Sequence, residues 1–363
     1  MTTDAPTYLL AGGGTAGHVN PLLAVADALR EREPAASVLV LGTREGLESR
    51  LVPARGYELL VVEKVPFPRR PNRAAASFPL AWRRAIAQVR AYIRTRGVDV
   101  VVGFGGYAAA PAYVAARREG IPYVVHEANA RPGLANVLGT RGAAAVGVTF
   151  EGTPLRRAAV VGMPLRRELL DLDRAALRAE AAAEFGLDPQ RPVLLVFGGS
   201  LGARRLNETF ADVWQNVTDA GWQLLHAAGE RDEIIDPGDP AYRVVPYLDR
   251  MDLALALADL VVSRAGSSTV SELTALGIPA VYVPYAVGNG EQALNAASSV
   301  AAGAARLILD AEFTGDRVRS EIVPLLRDAE ALAGLRAAAA TRAPAARAGT
   351  ANVVAQIDHA LGR

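Results

Sequence analysis

The chain contains the same strand–turn–helix opening twice, and this duplication constrains its fold more than any other feature. The first copy reads YLLAGGGTAGH over residues 8–18, and the second reads VLLVFGGSLGAR over residues 193–204. After each copy, short apolar runs alternate with longer helical stretches, which is typical of parallel strands covered by helices on both faces. We therefore predict two α/β domains, each with a doubly wound parallel sheet, facing a cleft at the carboxyl ends of their strands.

The apolar runs give six predicted strands in each half. They are residues 8–11, 38–41, 59–62, 98–102, 123–126 and 144–148, then 193–197, 223–226, 243–245, 260–262, 280–283 and 305–309. A hinge is expected near residues 162–166, so the domains are predicted to span residues 1–164 and 165–343. A second joint near residues 343–349 precedes a last helix, and we expect residues 344–363 to return to the first domain.

Composition excludes several classes of function. The 363 residues contain no cysteine, which excludes disulfides, zinc–thiolate sites and thiol nucleophiles. The net charge of +1 argues against a globally basic nucleic-acid binder. Four widely spaced histidines predict no metal site. The longest uncharged apolar stretch, 275–287, is too short to span a bilayer, and the N-terminus lacks a signal peptide, so a cytoplasmic location is expected.

The glycine-rich turns indicate phosphate binding. The spacing of Gly12, Gly14 and Gly17 formally matches the dinucleotide fingerprint. No acid for the ribose of NAD follows the second strand, but Arg44 suits NADP, so a nicotinamide cofactor stays an alternative. Similar turns follow three further strands, at residues 103–107, 198–204 and 264–272. Four such turns favour a bulky phosphorylated donor together with a phosphorylated acceptor.

The last of these turns has the clearest chemistry. Ser267–Thr269 would open a helix and offer N–H and hydroxyl groups to a diphosphate. Glu272 lies on the same helix face as Ser268 and could accept both hydroxyls of a ribose, although a surface glutamate is the ordinary alternative. Gln292 and Asn295 carry amides suited to sugar hydroxyls, with helix capping as their alternative role.

Six motifs together resemble the MurG family of peptidoglycan N-acetylglucosaminyltransferases. They are GGGTxGHxxP at 12–21, GFGGY at 103–107, HExN at 126–129, VGxPxR at 161–166, GGSxGAR at 198–204 and RxGxxTVSE at 264–272. The resemblance covers nearly the whole chain and implies a GT-B fold of two Rossmann-like domains. It also implies UDP-N-acetylglucosamine (UDP-GlcNAc) as donor, the undecaprenyl-linked MurNAc-pentapeptide lipid I as acceptor, and an inverting β-1,4 transfer that makes lipid II without a cofactor.

Carried over by position, the resemblance also implies the site residues. The family's donor contacts fall on Thr15, Ala16, Gly17, Asn129, Arg166, Ser200, Leu248, Ser267, Ser268, Thr269, Val270, Ser271, Glu272 and Gln292. Two positions depart from the family's common pattern, because Ala16 replaces a glycine and Glu291 replaces a glutamine.

An inverting transfer needs a base for the acceptor hydroxyl and a sink for the diphosphate. His18 is the preferred base because an unperturbed histidine pKa of about 6.5 suits proton abstraction near neutrality. Glu127 is the second candidate. Helix N-termini together with Arg166 would receive the diphosphate without a metal. The alternatives are a GT-B glycosyltransferase with another lipid or small-molecule acceptor, a UDP-sugar epimerase, and an NADP-dependent oxidoreductase.

A lipid acceptor requires docking at a membrane, and one stretch of the sequence suits it. Residues 64–84 place Phe78, Leu80 and Trp82 among basic residues, which are Lys64, Arg69, Arg70, Arg73, Arg83 and Arg84. We predict that this stretch binds the anionic cytoplasmic face of the cell membrane as a peripheral anchor. A core-facing amphipathic helix is the alternative. Other cell-wall synthesis proteins are possible partners under the same resemblance.

Overall fold

The computed structural model describes residues 5–68, 73–199, 203–229, 234–285 and 290–363, with side chains from residue 76 onward in the second range. The chain divides into two compact units. The N-terminal unit comprises Met1–Arg166 and Arg347–Arg363, and the C-terminal unit comprises Arg167–Ala346.

The N-terminal unit is built on a seven-stranded, fully parallel sheet. Its strand order is β3-β2-β1-β4-β5-β6-β7. The strands are β1 (Thr7–Ala11), β2 (Ser37–Gly42), β3 (Glu58–Val61), β4 (Val100–Gly103), β5 (Tyr123–Glu127), β6 (Ala145–Val148) and β7 (Ala158–Val160). The helices are α1 (Ala16–Arg32), α2 (Glu48–Ala54), α3 (Arg73–Arg96), α4 (Gly106–Glu119), α5 (Leu134–Gly139) and the final helix α15 (Gly349–Ala360).

Both faces of this sheet are buried, as continuous apolar strands require. Leu9 on β1 points into a core formed with α3 and α4, whereas its neighbour Leu10 points into a core formed with α1 and α15. Helix α15 reaches the sheet because Gly349 lies against the backbone of Met163, where any β-carbon would collide. Helix α15 thus covers part of one face of the sheet in the N-terminal unit.

The C-terminal unit repeats the plan with six parallel strands in the order β10-β9-β8-β11-β12-β13. They are β8 (Val193–Phe197), β9 (Gln223–Ala227), β10 (Tyr242–Val245), β11 (Leu260–Ser263), β12 (Ala280–Tyr282) and β13 (Ala305–Leu307). Its α-helices are α6 (Arg167–Leu170), α7 (Arg174–Phe185), α8 (Arg204–Thr218), α9 (Met251–Leu257), α10 (Ser267–Ala275), α11 (Glu291–Ala301), α12 (Gly315–Arg317), α13 (Val323–Arg327) and α14 (Ala329–Arg347), with a 3-10 turn at Asp310–Glu312 and a π-turn at Val318–Ile322.

Local chemistry explains where these helices begin and end. Helix α7, for example, begins after Asp173, whose carboxylate accepts from the N–H groups of Ala175 and Ala176 at 3.1 and 3.0 Å. It ends at Gly186, which is left-handed with φ of 65°.

All twelve predicted strands are present, with no end shifted by more than two residues. The sequence missed β7, because its three residues AAV carry little β-propensity and lie at the sheet edge. The predicted joint at residues 343–349 is also shifted, since α14 continues through Pro344 to Arg347 and α15 begins two residues later. In the described ranges, no helix is both long and apolar enough to cross a bilayer.

Candidate active site

The first glycine turn links β1 to α1 and exposes the start of that helix. Gly14 is left-handed, with φ of 93°, and Thr15 is the extended N-cap residue. The Thr15 hydroxyl does not cap the helix but lies 3.2 Å from Nδ1 of His18. Thr15 and Ala16 are exposed and Gly17 is half-buried, so this predicted donor-binding segment is open to a ligand. The first N–H groups of α1 lack intrahelical acceptors and favour an anion.

His18 sits where the first glycine turn meets the second, at residues 103–107. A β-carbon on Gly105 would lie 3.1 Å from its Nε2 atom, so the imidazole packs directly against the second turn. Burial lowers the pKa of His18, while the nearby Glu127 and Glu48 carboxylates and the Gly13 carbonyl oppose that shift. The imidazole is therefore neutral near pH 7, the state in which it can accept a proton.

Glu127, the second candidate base, is the last residue of β5, and the following loop covers its side chain. Its side chain is only 2% exposed. The carboxylate accepts from the backbone N–H groups of Asn129 and Gly133 at 2.9 and 3.0 Å, and from Nδ2 of Asn136 at 2.9 Å. Three donors already occupy its oxygens, so this geometry favours a role in shaping the loop that carries Asn129.

One buried acid of this region escaped the sequence reasoning. Glu48, at the start of α2, is 0% exposed. Its carboxylate accepts from the N–H of Gly14 at 2.7 Å, and from both the N–H and the hydroxyl of Thr43 at 2.8 Å. The available signal was the pair of glycines at 42 and 46 flanking this acid, but glycines in a loop predict a turn more often than a socket for a side chain.

In the C-terminal unit, the turn from β11 to α10 presents a similar helix start. Gly266 is the extended N-cap residue. The N–H groups of Ser267, Ser268 and Thr269 occupy the first helical positions, which have no intrahelical acceptor. Arg264, the first residue of the motif, is turned inward, and its guanidinium donates to the Val283 carbonyl at 3.0 Å and pairs with Asp310 at 2.5 Å.

Two residues of the same motif do not fit the predicted direct contact through their side chains. Val270 is buried, and its N–H already donates to the Gly266 carbonyl at 2.9 Å. Ser271 is also buried, with no hydrogen-bond partner for its hydroxyl. The helical period turns both of them into the core, whereas Ser268, Thr269 and Glu272 stay half-buried at the surface.

Gln292 and Asn295 hold the backbone that precedes this turn. Oε1 of Gln292 accepts from the N–H groups of Ala265 and Tyr285 at 3.2 and 2.9 Å. Nδ2 of Asn295 donates to the Ala265 carbonyl at 3.2 Å. Asn295 is 0% exposed and its amide positions the turn, so its contact with a sugar stays a prediction that the burial of the side chain does not favour. Gln292 is half-buried and stays a predicted sugar ligand.

Three predicted donor contacts remain. Arg166 is half-buried at the end of the first segment of the N-terminal unit. Leu248 has a buried side chain just before α9, so only its backbone can reach a ligand. Ser200 lies outside the described residues. Within the described part of the chain, no group of three or more histidine, aspartate or glutamate residues could hold a metal ion.

Comparison with known proteins identifies the family. Models of the glycosyltransferase family 28 N-terminal and C-terminal domains match residues 8–148 and 193–352. A Clavibacter sepedonicus protein named as a UDP-N-acetylglucosamine–N-acetylmuramyl-(pentapeptide) pyrophosphoryl-undecaprenol N-acetylglucosamine transferase is 65% identical over 94% of each chain. A Mycolicibacterium smegmatis protein of the same name is 50% identical over 92% of this chain and 89% of its own. The chain belongs to the MurG family.

Solved structures agree with this family assignment and with the GT-B fold. The crystal structure of Acinetobacter baumannii MurG matches with a TM-score of 0.77 and 27% identity, over 98% of this chain and 99% of that one. The calicheamicin glycosyltransferase CalG4 matches with a TM-score of 0.66 at 20% identity, over 99% of both chains. A Listeria monocytogenes protein titled a putative UDP-N-acetylglucosamine 2-epimerase also shares the fold, with a TM-score of 0.65 at 14% identity. The last two likenesses concern the fold alone.

The stretch predicted to meet the membrane combines two environments. Phe78 and Trp82 stack 5.8 Å apart, contact Phe67, and pack partly buried against the N-terminal core. Leu80, by contrast, is 63% exposed. Arg83 and Arg84 are exposed, Arg69 and Arg70 lie outside the described residues, as does the side chain of Arg73, and Lys64 lies 4.9 Å from the ring centroid of Tyr107. Of the three apolar residues predicted to enter the interface, Leu80 is exposed, whereas Phe78 and Trp82 are half-buried.

Proposed function

We propose that this protein transfers N-acetylglucosamine from UDP-GlcNAc to the MurNAc 4-hydroxyl of lipid I, making lipid II in peptidoglycan synthesis. The observation that carries the proposal is 65% identity, over 94% of each chain, to a transferase of that name. The first and fourth glycine turns fit such a reaction. Each connects a strand of a parallel sheet to the N-terminus of a helix, and a helix N-terminus can bind phosphate.

The chemistry is a single displacement at the anomeric carbon of the donor sugar. The acceptor oxygen forms a bond to that carbon while the bond to the UDP oxygen breaks, and the electron pair leaves with the diphosphate. The proton of the acceptor hydroxyl goes to His18. In the tautomer that donates Nδ1–H to Thr15, the Nε2 atom of His18 is the proton acceptor. The lowered pKa keeps this nitrogen unprotonated near neutrality.

The C-terminal unit supplies the donor contacts in this proposal. The diphosphate accepts from the free N–H groups at the start of α10, and Ser268 and Thr269 add hydroxyls. Glu272 lies one helical turn after Ser268 and receives the ribose hydroxyls, since an ionised carboxylate accepts two hydrogen bonds at once. Thr15, Ala16, Gly17, Asn129, Arg166, Ser200 and Gln292 complete the proposed donor and acceptor contacts.

A lipid acceptor also calls for a membrane surface, and we place it on the N-terminal unit. Leu80 offers an exposed apolar side chain beside the exposed Arg83 and Arg84 on α3. Such a surface suits anionic lipid headgroups at the cytoplasmic face of the cell membrane, where the protein would bind peripherally and meet other cell-wall synthesis proteins.

The deciding experiment incubates the protein with radiolabelled UDP-GlcNAc and a soluble lipid I analogue. We expect a labelled disaccharide with a β-1,4 linkage, formed only when both substrates are present. Formation of N-acetylmannosamine without acceptor would establish the epimerase instead. Absence of transfer to lipid I, with transfer to a different lipid or natural product, would replace the acceptor in this proposal.

A further inference from the structure

The first glycine turn encloses a buried charge that the reaction itself does not use. The Glu48 carboxylate is fully buried, although an ionised side chain in the interior is costly unless it is well hydrogen-bonded. It accepts from Gly14 in the turn and from both donors of Thr43 after β2. The carboxylate thus joins two loops at the carboxyl end of the sheet.

The backbone around Glu48 is shaped to admit this carboxylate. Gly13 lies in the first glycine turn, Gly42 ends β2 and Gly46 precedes α2, and a β-carbon on any of them would collide with the Glu48 side chain. No larger residue fits at these three positions while Glu48 occupies its site. The socket and its occupant therefore form one unit, in which residues 42–48 pack against Gly13 of the first turn.

The socket is connected directly to the proposed base. A β-carbon on Gly106 would collide with the Gly13 carbonyl oxygen, so the second turn, at residues 103–107, lies against the first. Gly105 in turn packs against the His18 ring. Displacing the Gly13–Gly14 backbone would therefore move the surfaces that hold His18 on two sides.

We propose that Glu48 is a positioning residue that fixes the first glycine turn and, through it, the imidazole of His18. Its charge also acts on His18 through space. The titratable groups facing His18 are Glu48 from α2, and Glu127 and His126 from β5. Both carboxylates favour the protonated imidazole, whereas burial disfavours it. The proposal rests on the transferase function given above, since it assigns a role in presenting that reaction's base.

The test compares Glu48→Gln, Glu48→Asp and a control, Glu45→Gln, which removes an exposed charge from the same loop. The glutamine amide cannot accept from both Gly14 and Thr43, so we expect kcat to fall by about tenfold to a hundredfold, the range for a small misplacement of a catalytic group. Affinity for UDP should stay within about twofold of the parent. The control should match the parent in both measurements.

Titration of His18 distinguishes the proposed role of Glu48 from a purely structural one. In NMR titrations, with the His18 resonance assigned by its loss in His18→Ala, the pKa of His18 should fall further in Glu48→Gln because a neighbouring negative charge is gone. Glu48→Asp keeps the charge but shortens the side chain, so kcat should fall while the pKa of His18 stays closer to that of the parent. A parental kcat and a parental His18 titration in folded Glu48→Gln would overturn the proposal.

Two further measurements cover the cases in which Glu48→Gln does not fold or the parent protein does not make lipid II. If Glu48→Gln does not fold, Thr43→Val removes only the hydroxyl donor to the carboxylate, and its kcat should fall about threefold or more. Parental kcat in that variant would then overturn the role. If the parent itself fails to make lipid II, the proposed function is wrong, but the His18 titration still reports whether Glu48 acts on the imidazole.

Discussion

The first and fourth glycine turns are held in place by side chains of different chemistry. Each turn connects a buried parallel strand to an exposed helix N-terminus, and in each one side chains hydrogen-bond to the backbone of the turn. In the N-terminal unit a buried carboxylate, Glu48, holds the turn. In the C-terminal unit two neutral amides, Gln292 and Asn295, hold the Ala265 peptide from its N–H and its carbonyl.

The difference matters because a side chain that holds a turn also changes the electrostatic potential at the site. A buried carboxylate beside His18 favours the imidazolium and so acts on proton transfer. A negative charge behind the α10 turn would instead weaken the attraction of that helix start for a diphosphate. Neutral amides fix the backbone there without this penalty. We infer that the first turn is built for acid–base chemistry and the fourth for binding an anion.

The largest expected effect comes from removing the proposed base beside the first turn. His18→Ala should lower kcat by about 10²–10⁴ because it removes the proton acceptor. Affinity for UDP, measured by calorimetry, should be nearly unchanged since most donor contacts are assigned to the C-terminal unit. His359→Ala, which removes an exposed histidine from α15, is the control. A loss of activity smaller than tenfold would mean that another group is the base, and Glu127→Gln would be measured next.

The next largest effect comes from removing the proposed ribose contact on α10, the helix that follows the fourth turn. Glu272→Ala should remove a charge-assisted contact to the ribose, which contributes about 1.5–3 kcal/mol. UDP affinity should therefore fall by about tenfold to a hundredfold. Glu208→Ala, an exposed acid on α8 of the same unit, should bind UDP like the parent. Unchanged UDP affinity in folded Glu272→Ala protein would remove Glu272 from the site.

A smaller effect separates support of the turn from contact with the sugar. Asn295→Ala leaves the buried Ala265 carbonyl without its donor, which should lower the free energy of unfolding by about 1–3 kcal/mol. UDP affinity should fall by about fivefold as the turn loosens. The exposed Gln215→Ala on α8 serves as the control. Strong loss of UDP-GlcNAc binding without any loss of stability would favour direct contact between Asn295 and the sugar.

The last test uses vesicle binding instead of UDP affinity and concerns the surface of α3. Leu80→Ser should weaken sedimentation with anionic vesicles by about tenfold, as expected when one exposed leucine no longer enters the interface. The matched control is Ile235→Ser, which removes a 90% exposed apolar residue from the C-terminal unit. Arg83→Gln together with Arg84→Gln should act in the same direction, with about 1 kcal/mol for each charge. Parental vesicle binding by all of these variants would place the docking surface elsewhere.

The sequence by itself determined the two parallel sheets and the turns that end their strands. Alternating apolar strands and helices repeat every few tens of residues, and local propensity together with burial on both faces leaves few other folds for such a pattern. The same local pattern predicts His18, Ser267–Thr269 and Glu272 as site residues, because each follows a glycine turn within a few residues, and these assignments stay predictions. Of the thirteen strands in the described residues, twelve were predicted from the apolar runs.

Only the tertiary structure decided which side chains face inward. Glu48 closes a socket of glycines, Asn295 points at a backbone carbonyl, and Glu127 is surrounded by three donors, although all three are ordinary polar residues in the sequence. Phe78 and Trp82 pack on the core while Leu80, between them on α3, is exposed. For Glu48 and Asn295 the physical reason is that a buried polar contact depends on a partner from a distant segment, Gly14 and Ala265 respectively. The donors to Glu127 are close in sequence, but they reach its carboxylate only because the loop after β5 folds back on it.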